Sequence, residues 1–229
     1  MAIRLSNGLH VFSIAAAIAC LALGASPSQA GISVGDSIRF TNREGNTGGG
    51  EFGVAELPNA NTELFRTFCL QVNEYLDFSP LGFKVVDISD RAQGYSDDPL
   101  DARTAYLYTQ FSKGTLSGYD YSPNTTGHAA SADALQRAFW AIEDETGPAS
   151  GQALAWINEA ALAISSGAWS GLGNVRVLSI AWIDRHDEGR EPGTPGQDVL
   201  MMVPEPASFM VWSLLGAAGL VAYRRRLRK

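Results

Sequence analysis

The run Ser131-Ala132-Asp133-Ala134-Leu135-Gln136-Arg137-Ala138-Phe139-Trp140-Ala141-Ile142-Glu143-Asp144-Glu145 decides the fold class. Leu135, Ala138, Phe139 and Ile142 recur at the three-and-four spacing that lines one face of an α-helix, and Ser131 or Asp133 offers a capping oxygen at its start. Gly147-Pro148 ends it. Two helices are expected beside it. Asp98-Pro99-Leu100-Asp101 has the composition of a helix start, and Ala105, Leu107, Tyr108 and Phe111 then form a stripe within residues 102–111. Residues 151–166 carry a third helix, with Leu154, Ile157, Ala161 and Ile164 as its expected buried side. Residues 113–127, rich in Gly, Ser, Tyr and Asn, read as a loop that leaves His128 solvated.

Outward from this helical block the periodicity changes from helical to alternating. Residues 31–40, 51–56, 63–75 and 83–88 read as strands before it, and residues 175–183 and 198–203 as strands after it. Strands, then helices, then strands predict an α+β domain over residues 31–203, an antiparallel β-sandwich or barrel-like framework with an inserted helical layer. Gly48-Gly49-Gly50 lacks both a following Lys-Ser/Thr and a helix start, which excludes a phosphate-binding loop and leaves a hairpin connection.

The two ends carry targeting patterns. Arg4, an apolar run from Val11 to Leu23, and small residues up to Ala30 predict a signal peptide over residues 1–30, cleaved between Ala30 and Gly31. Cys20, one of the two cysteines, leaves with it; acylation of Cys20 as a lipoprotein is opposed by the apolar Leu21-Ala22-Leu23 that continues past it. At the other end Pro204-Glu205-Pro206 precedes an apolar run from Phe209 to Tyr223 and then Arg224-Arg225-Arg226-Leu227-Arg228-Lys229. Such a run spans a bilayer only marginally, and its basic tail is expected to stay cytoplasmic. The tripartite end resembles the PEP-CTERM sorting signal of Gram-negative bacteria. The resemblance covers residues 204–229 and implies recognition by an exosortase, transient anchoring by the membrane helix, cleavage near the motif, and delivery to the cell surface or an extracellular polysaccharide matrix. The formal charge of the whole chain is -7. Its basic residues gather at the ends, so the domain between them is more acidic still, which argues against nucleic acid as a partner.

Export leaves Cys69 as the one remaining thiol, in Thr67-Phe68-Cys69-Leu70-Gln71-Val72-Asn73-Glu74-Tyr75. A lone cysteine in an oxidising compartment is a buried spectator, an intermolecular link or a reactive group. If the Phe68, Leu70 and Val72 side of its strand meets the core, Cys69 faces whatever covers the strand. Pairing with His128 would make a hydrolase, but no Gly-rich nucleophile signature surrounds Cys69.

An aromatic residue before a lone cysteine on an early strand, followed by a helical Gln-x-Ala-x-Trp, resembles the thioester domains of bacterial surface adhesins. Phe68-Cys69 matches the cysteine motif; Gln136, Ala138 and Trp140 match the glutamine motif. Leu135 stands where that family usually has Thr, and Phe139 where it usually has Ile, Val or Leu. The resemblance implies an internal Cys69-Gln136 thioester that acylates an amine or hydroxyl on a partner, a single-use covalent anchor rather than a turnover enzyme. The alternative is a non-catalytic structural or polysaccharide-associated matrix protein with Cys69 buried and unreactive. Neither reading calls for a cofactor or a metal. His186 lies among carboxylates in a charged loop, where a solvated ring is the default. Glu143-Asp144-Glu145 reads as a solvated charge run, and Trp140, Trp156, Trp169 and Trp182 as core or core-edge packing.

Overall fold

The computed structural model describes residues 31–93, 98–184 and 190–204. Six strands, β1 (Ser37–Asn42), β2 (Gly50–Glu56), β3 (Phe65–Phe68), β4 (Phe83–Ser89), β5 (Val175–Trp182) and β6 (Val199–Met202), form one antiparallel sheet in the order β3-β2-β1-β4-β5-β6. Helices α1 (Ala102–Ser112), α2 (Thr126–Ile142) and α3 (Gly151–Ser165) are inserted between the neighbouring strands β4 and β5.

The sheet curls until its two edges meet. Cys69 forms an antiparallel bridge with Val199, the Leu70 amide donates to the Asp198 carbonyl at 2.9 Å, and the Thr67 hydroxyl donates to the Leu200 carbonyl at 2.6 Å. Of the two expected frameworks, the nearly closed sheet forms and the two-sheet sandwich does not. Curling creates two apolar compartments. Ile38, Phe40, Val54, Phe83, Val85 and Ile180 fill the inside of the curl. Phe68, Val177 and Leu200 instead meet Leu107, Leu135 and Phe139 of the helical layer. The two-residue period of β5 divides its side chains this way: Val175 and Val177 turn to the helices, Leu178, Ile180 and Trp182 to the interior.

Three expectations need correction. Helix α2 starts at Thr126, well before Ser131, because Thr125 is its N-cap and accepts from the His128 amide at 3.0 Å. Gly127, which reads as a loop residue, is needed inside the helix because a Cβ there would strike the Asp120 carboxylate. The buried side of α3 is Ala153, Trp156 and Ala160, while Leu154 and Ala161 are exposed and Ile157 and Ile164 only half-buried. Trp156 sets that rotation: its ring stacks near Tyr119 and its Nε1 donates to the Ser117 carbonyl at 2.7 Å. Glu143 is not solvated, since its carboxylate accepts from the Asp101 amide at the start of α1. Asp101 caps α1 as expected, accepting from the Arg103 amide.

Among the described residues no helix is long and apolar enough to cross a membrane. Gly31 and Pro204 are described and exposed. Ala30, Glu205, Pro206 and the apolar run after them lie outside the described residues, as does His186.

Candidate functional site

Strand β3 and helix α2 bring Cys69 and Gln136 together. The Cys69 amide donates to Gln136 Oε1 at 3.1 Å, and Gln136 Nε2 donates to the Cys69 carbonyl at 2.8 Å. The same amide also donates to the Gly49 carbonyl at 2.8 Å. Both residues are buried, Gln136 completely. The pairing has a local cause. At Cys69 the chain leaves β2 and starts to pair with β6. A primary amide, with one acceptor and one donor side by side, gives the Cys69 carbonyl a donor there and its amide a second acceptor beside Gly49.

The question of which face meets the core has a two-sided answer. Phe68 and Leu70 point into the helical layer, where Phe68 meets Phe111 and Phe139 edge-on at 5.0 and 5.4 Å. Cys69 belongs to the cluster inside the curled sheet. Ala138 and Leu135 are fully buried in the helical layer, and Trp140 lies half-buried at the edge of the inner cluster beside the cysteine. Of the residues picked out by sequence, Cys69, Gln136 and Trp140 therefore share one locality. Phe68 and Ala138 support it from the opposite face.

Burial pushes the Cys69 thiol well up from its ordinary range, and the nearby Glu74 carboxylate acts in the same direction. Glu74 is itself pushed up to about 7, first by burial and then by the like charges of Asp198 and Glu145, against the opposing hydrogen bond from the Asp198 amide. Asp198 is raised to about 6, chiefly by burial. The thiol side of the site is thus a place where negative charge is disfavoured.

A strap over residues 44–50 covers the pair. A Cβ on Gly49 would lie 2.5 Å from Trp140 Cζ2 and 2.6 Å from Gln136 Cδ, so only glycine allows the backbone to rest on the carboxamide. Asp133 pins the strap from α2: its Oδ1 accepts from the amides of Asn46 at 2.5 Å and Thr47 at 3.1 Å. Asp133, Gln136 and Trp140 stand at i, i+3 and i+7, so one line of the helix lies beneath the strap.

Directly after the strap comes a buried charged cluster. Glu51 is inaccessible to solvent; its Oε1 meets Arg66 at 2.5 Å, while its Oε2 accepts from Tyr119 at 2.8 Å and meets His128 Nε2 at 2.9 Å. Burial and the Glu51 charge together push the Tyr119 hydroxyl far up. His128 is therefore a buried helical residue rather than a solvated loop residue. Its Nε2 is engaged by Glu51 and its Nδ1 has no hydrogen-bond partner, so the base of a Cys69-His128 hydrolase is not in place. Among the described residues no group of three or more His, Cys, Asp or Glu is arranged to hold a metal.

Sequence reasoning placed Gly49 in a hairpin connection, Asp133 at a helix cap and His128 in a solvated loop, and it did not single out Glu51. A triple glycine followed at once by an acidic residue was the available signal, since glycine next to a buried charge marks close backbone approach. Comparisons of the chain with protein-family models, with curated proteins and with solved structures find no match.

Proposed function

We propose that this chain is an exported surface or matrix protein whose domain acts as a covalent anchor through Cys69 and Gln136. The observation that carries the reading is the reciprocal pairing of the Gln136 carboxamide with the Cys69 backbone in a fully enclosed site. In the reaction, Sγ of Cys69 attacks Cδ of Gln136, the Cδ–Nε2 bond breaks, and the thiol proton leaves with Nε2 as ammonia. The Cys69 amide already donates to Oε1, the oxygen on which negative charge would develop, so the site offers an oxyanion donor in the ground state. An amide is a poor electrophile, and enclosure with fixed orientation is the contribution that the fold can make. The resulting acyl group is transferred to a primary amine or hydroxyl on a partner surface, with Cys69 regaining its proton. The PEP-CTERM-like end accounts for delivery: signal peptidase acts at Ala30-Gly31, and an exosortase acts near Pro204-Glu205-Pro206 at the surface of a Gram-negative cell.

Intact mass of the mature domain tests the reading. Loss of one ammonia, addition of methylamine at Gln136, and neither in Cys69→Ala are the expected results. A full-mass protein whose Cys69 is alkylated once unfolded removes it.

A second reading is favoured by the raised thiol. In it Gln136 is a backbone partner for Cys69, the thiol is inert, and the domain is a passive component of a polysaccharide matrix. The same mass measurement separates the two.

A further inference from the structure

The strap over residues 44–50 does more than fill space above the Cys69-Gln136 pair. Its Gly49 lies against the Gln136 carboxamide carbon, the atom that any acyl acceptor has to reach, and its Gly49 carbonyl accepts from the Cys69 amide. Besides that bond and the pairing of Gly50 with Phe68, the strap is fastened at three further points. Asp133 Oδ1 holds the Asn46 and Thr47 amides, the Glu51 amide donates to the Glu44 carbonyl at 2.7 Å, and Glu44 Oε1 accepts from the Asn124 amide at 3.0 Å. The last two fastenings lie at the ends of the strap. Asp133 is the side chain that grips residues 46 and 47, and it does so from the helix that carries Gln136. The Asn46 and Thr47 side of the strap is exposed to half-buried, so residues 45–48 lift first, with Gly49 buried beneath them against Gln136 and Trp140.

We propose that this strap is the access gate of the Cys69-Gln136 pair and that Asp133 is the positioning residue that latches it, admitting small primary amines when open and keeping water from the acyl carbon when closed. The proposal rests on the acyl-transfer reading for its reaction, but the gate itself is a property of the strap and is measurable without that reaction. Two hydrogen bonds to one carboxylate oxygen hold the closed state, and removing them raises the open population about tenfold or more.

The test compares four full-length mature proteins: the natural chain, Asp133→Ala, Asp133→Asn and Gly49→Ala. Asp133→Asn keeps an Oδ1 acceptor and should behave like the natural chain. Asp133→Ala loses both bonds, and Gly49→Ala forces the strap off the carboxamide by volume alone. Two probes are read by mass on the folded proteins: methylamine addition at Gln136 and iodoacetamide alkylation at Cys69. If the natural chain has lost ammonia, methylamine should add about tenfold faster to Asp133→Ala and Gly49→Ala than to the other two. If it has not, the acyl-transfer reading fails, and the gate is read from Cys69 alkylation in the same rank order. Asp101→Ala, which removes the N-cap of α1 and has no bond to the strap, controls for general loss of stability and should leave both rates at the natural value. Equal rates for Asp133→Ala and the natural chain, or an acceleration by Asp101→Ala matching that of Asp133→Ala, overturn the gate in either case.

Discussion

Two buried polar sites lie two residues apart along the chain, one at Gly49 and one at Glu51, and they are satisfied in opposite ways. Around Cys69 the polar groups are neutral and matched: a primary amide against one peptide unit, with nearby carboxyls raised because burial and like charges surround them. Around Glu51 a full carboxylate is buried among donors, namely Arg66, Tyr119 and His128. Helix α2 serves both, with His128 two turns before Gln136 on the same element. The difference teaches what each site tolerates. A neutral amide pair loses a bond or two when one member goes, whereas a charge cluster that loses its central carboxyl leaves Tyr119 and His128 Nε2 without their shared partner and Arg66 with Glu63 alone.

Acidity should have the largest effect, because it acts on several carboxyls at once: Glu74 and Asp198 near Cys69, and Glu143 beside the start of α1. Glu74 and Glu143 are raised to about 7 and Asp198 to about 6 in the folded protein. A carboxyl whose folded value lies above its unfolded value binds more protons when folded, so its stabilising contribution is present at low pH and fades as pH rises through the window from about 4 to 7. Burial alone would raise Asp101, but the hydrogen bonds and charge of Arg103 lower it, so its stabilising contribution is full above its unfolded value near 3.8 and is lost only as pH falls below that value. The urea midpoint should therefore be higher near pH 5 than at pH 8, and Glu74→Gln with Glu143→Gln should flatten the slope. A midpoint that rises steadily from pH 5 to 8 contradicts the assignment.

Glu51→Ala is the next largest expected effect. It removes the shared partner of three buried or half-buried groups, and a loss of about 3 kcal/mol is expected, since breaking a buried ion pair on one side typically costs 3–5 and Arg66 is partly exposed. Urea denaturation reads it. A loss below about 1 kcal/mol would mean that water replaces the carboxylate and that the cluster is not a closed charge site.

Gln136→Ala should cost less, about 2 kcal/mol, from an unsatisfied Cys69 carbonyl and a small cavity, while the Cys69 amide keeps Gly49 as its acceptor. The ordering of Glu51→Ala above Gln136→Ala is the measurable form of the comparison. Reversed values would show that the amide pair, not the charge cluster, holds the strap region together.

Much of this arrangement was open to reading from the chain alone, and the parts that were not share a cause. The alternation in β5 and the stripe Leu135, Ala138, Phe139, Ile142 come from local periodicity, so the α+β order follows from neighbouring residues, whereas the face of Phe68 and the burial of Gln136 do not. The fate of Cys69 required knowing that the sheet curls until β3 meets β6, a contact between residues more than a hundred positions apart. Glu51 and His128 read as ordinary polar residues because a buried charge is recognisable only through its partners, and these come from β3, the loop before α2 and α2 itself. The rotated stripe of α3 has a similar origin: Trp156 overrides the aliphatic period because one large ring with a polar edge selects its own pocket.

The smallest expected effect is the one that treats both sites alike. Thr125 caps α2 through its hydroxyl, which accepts from the His128 amide, and it touches neither Cys69 nor Glu51. Thr125→Ala should cost about 1 kcal/mol, the usual value of an N-cap, while Thr125→Ser should cost a fraction of that. The cap lies at the Glu51 end of the helix, and Gln136 lies nearly three turns further on, where the helix is held by Leu135, Phe139 and Ile142 in the apolar layer. Fraying of the first turn should accordingly speed hydrogen exchange at the His128 and Ala129 amides, and leave exchange at the Cys69 amide unchanged. Acceleration at Cys69 as well would mean that α2 opens as a unit and that the two sites are coupled through it, which would replace the picture of two independently satisfied sites with one cooperative element.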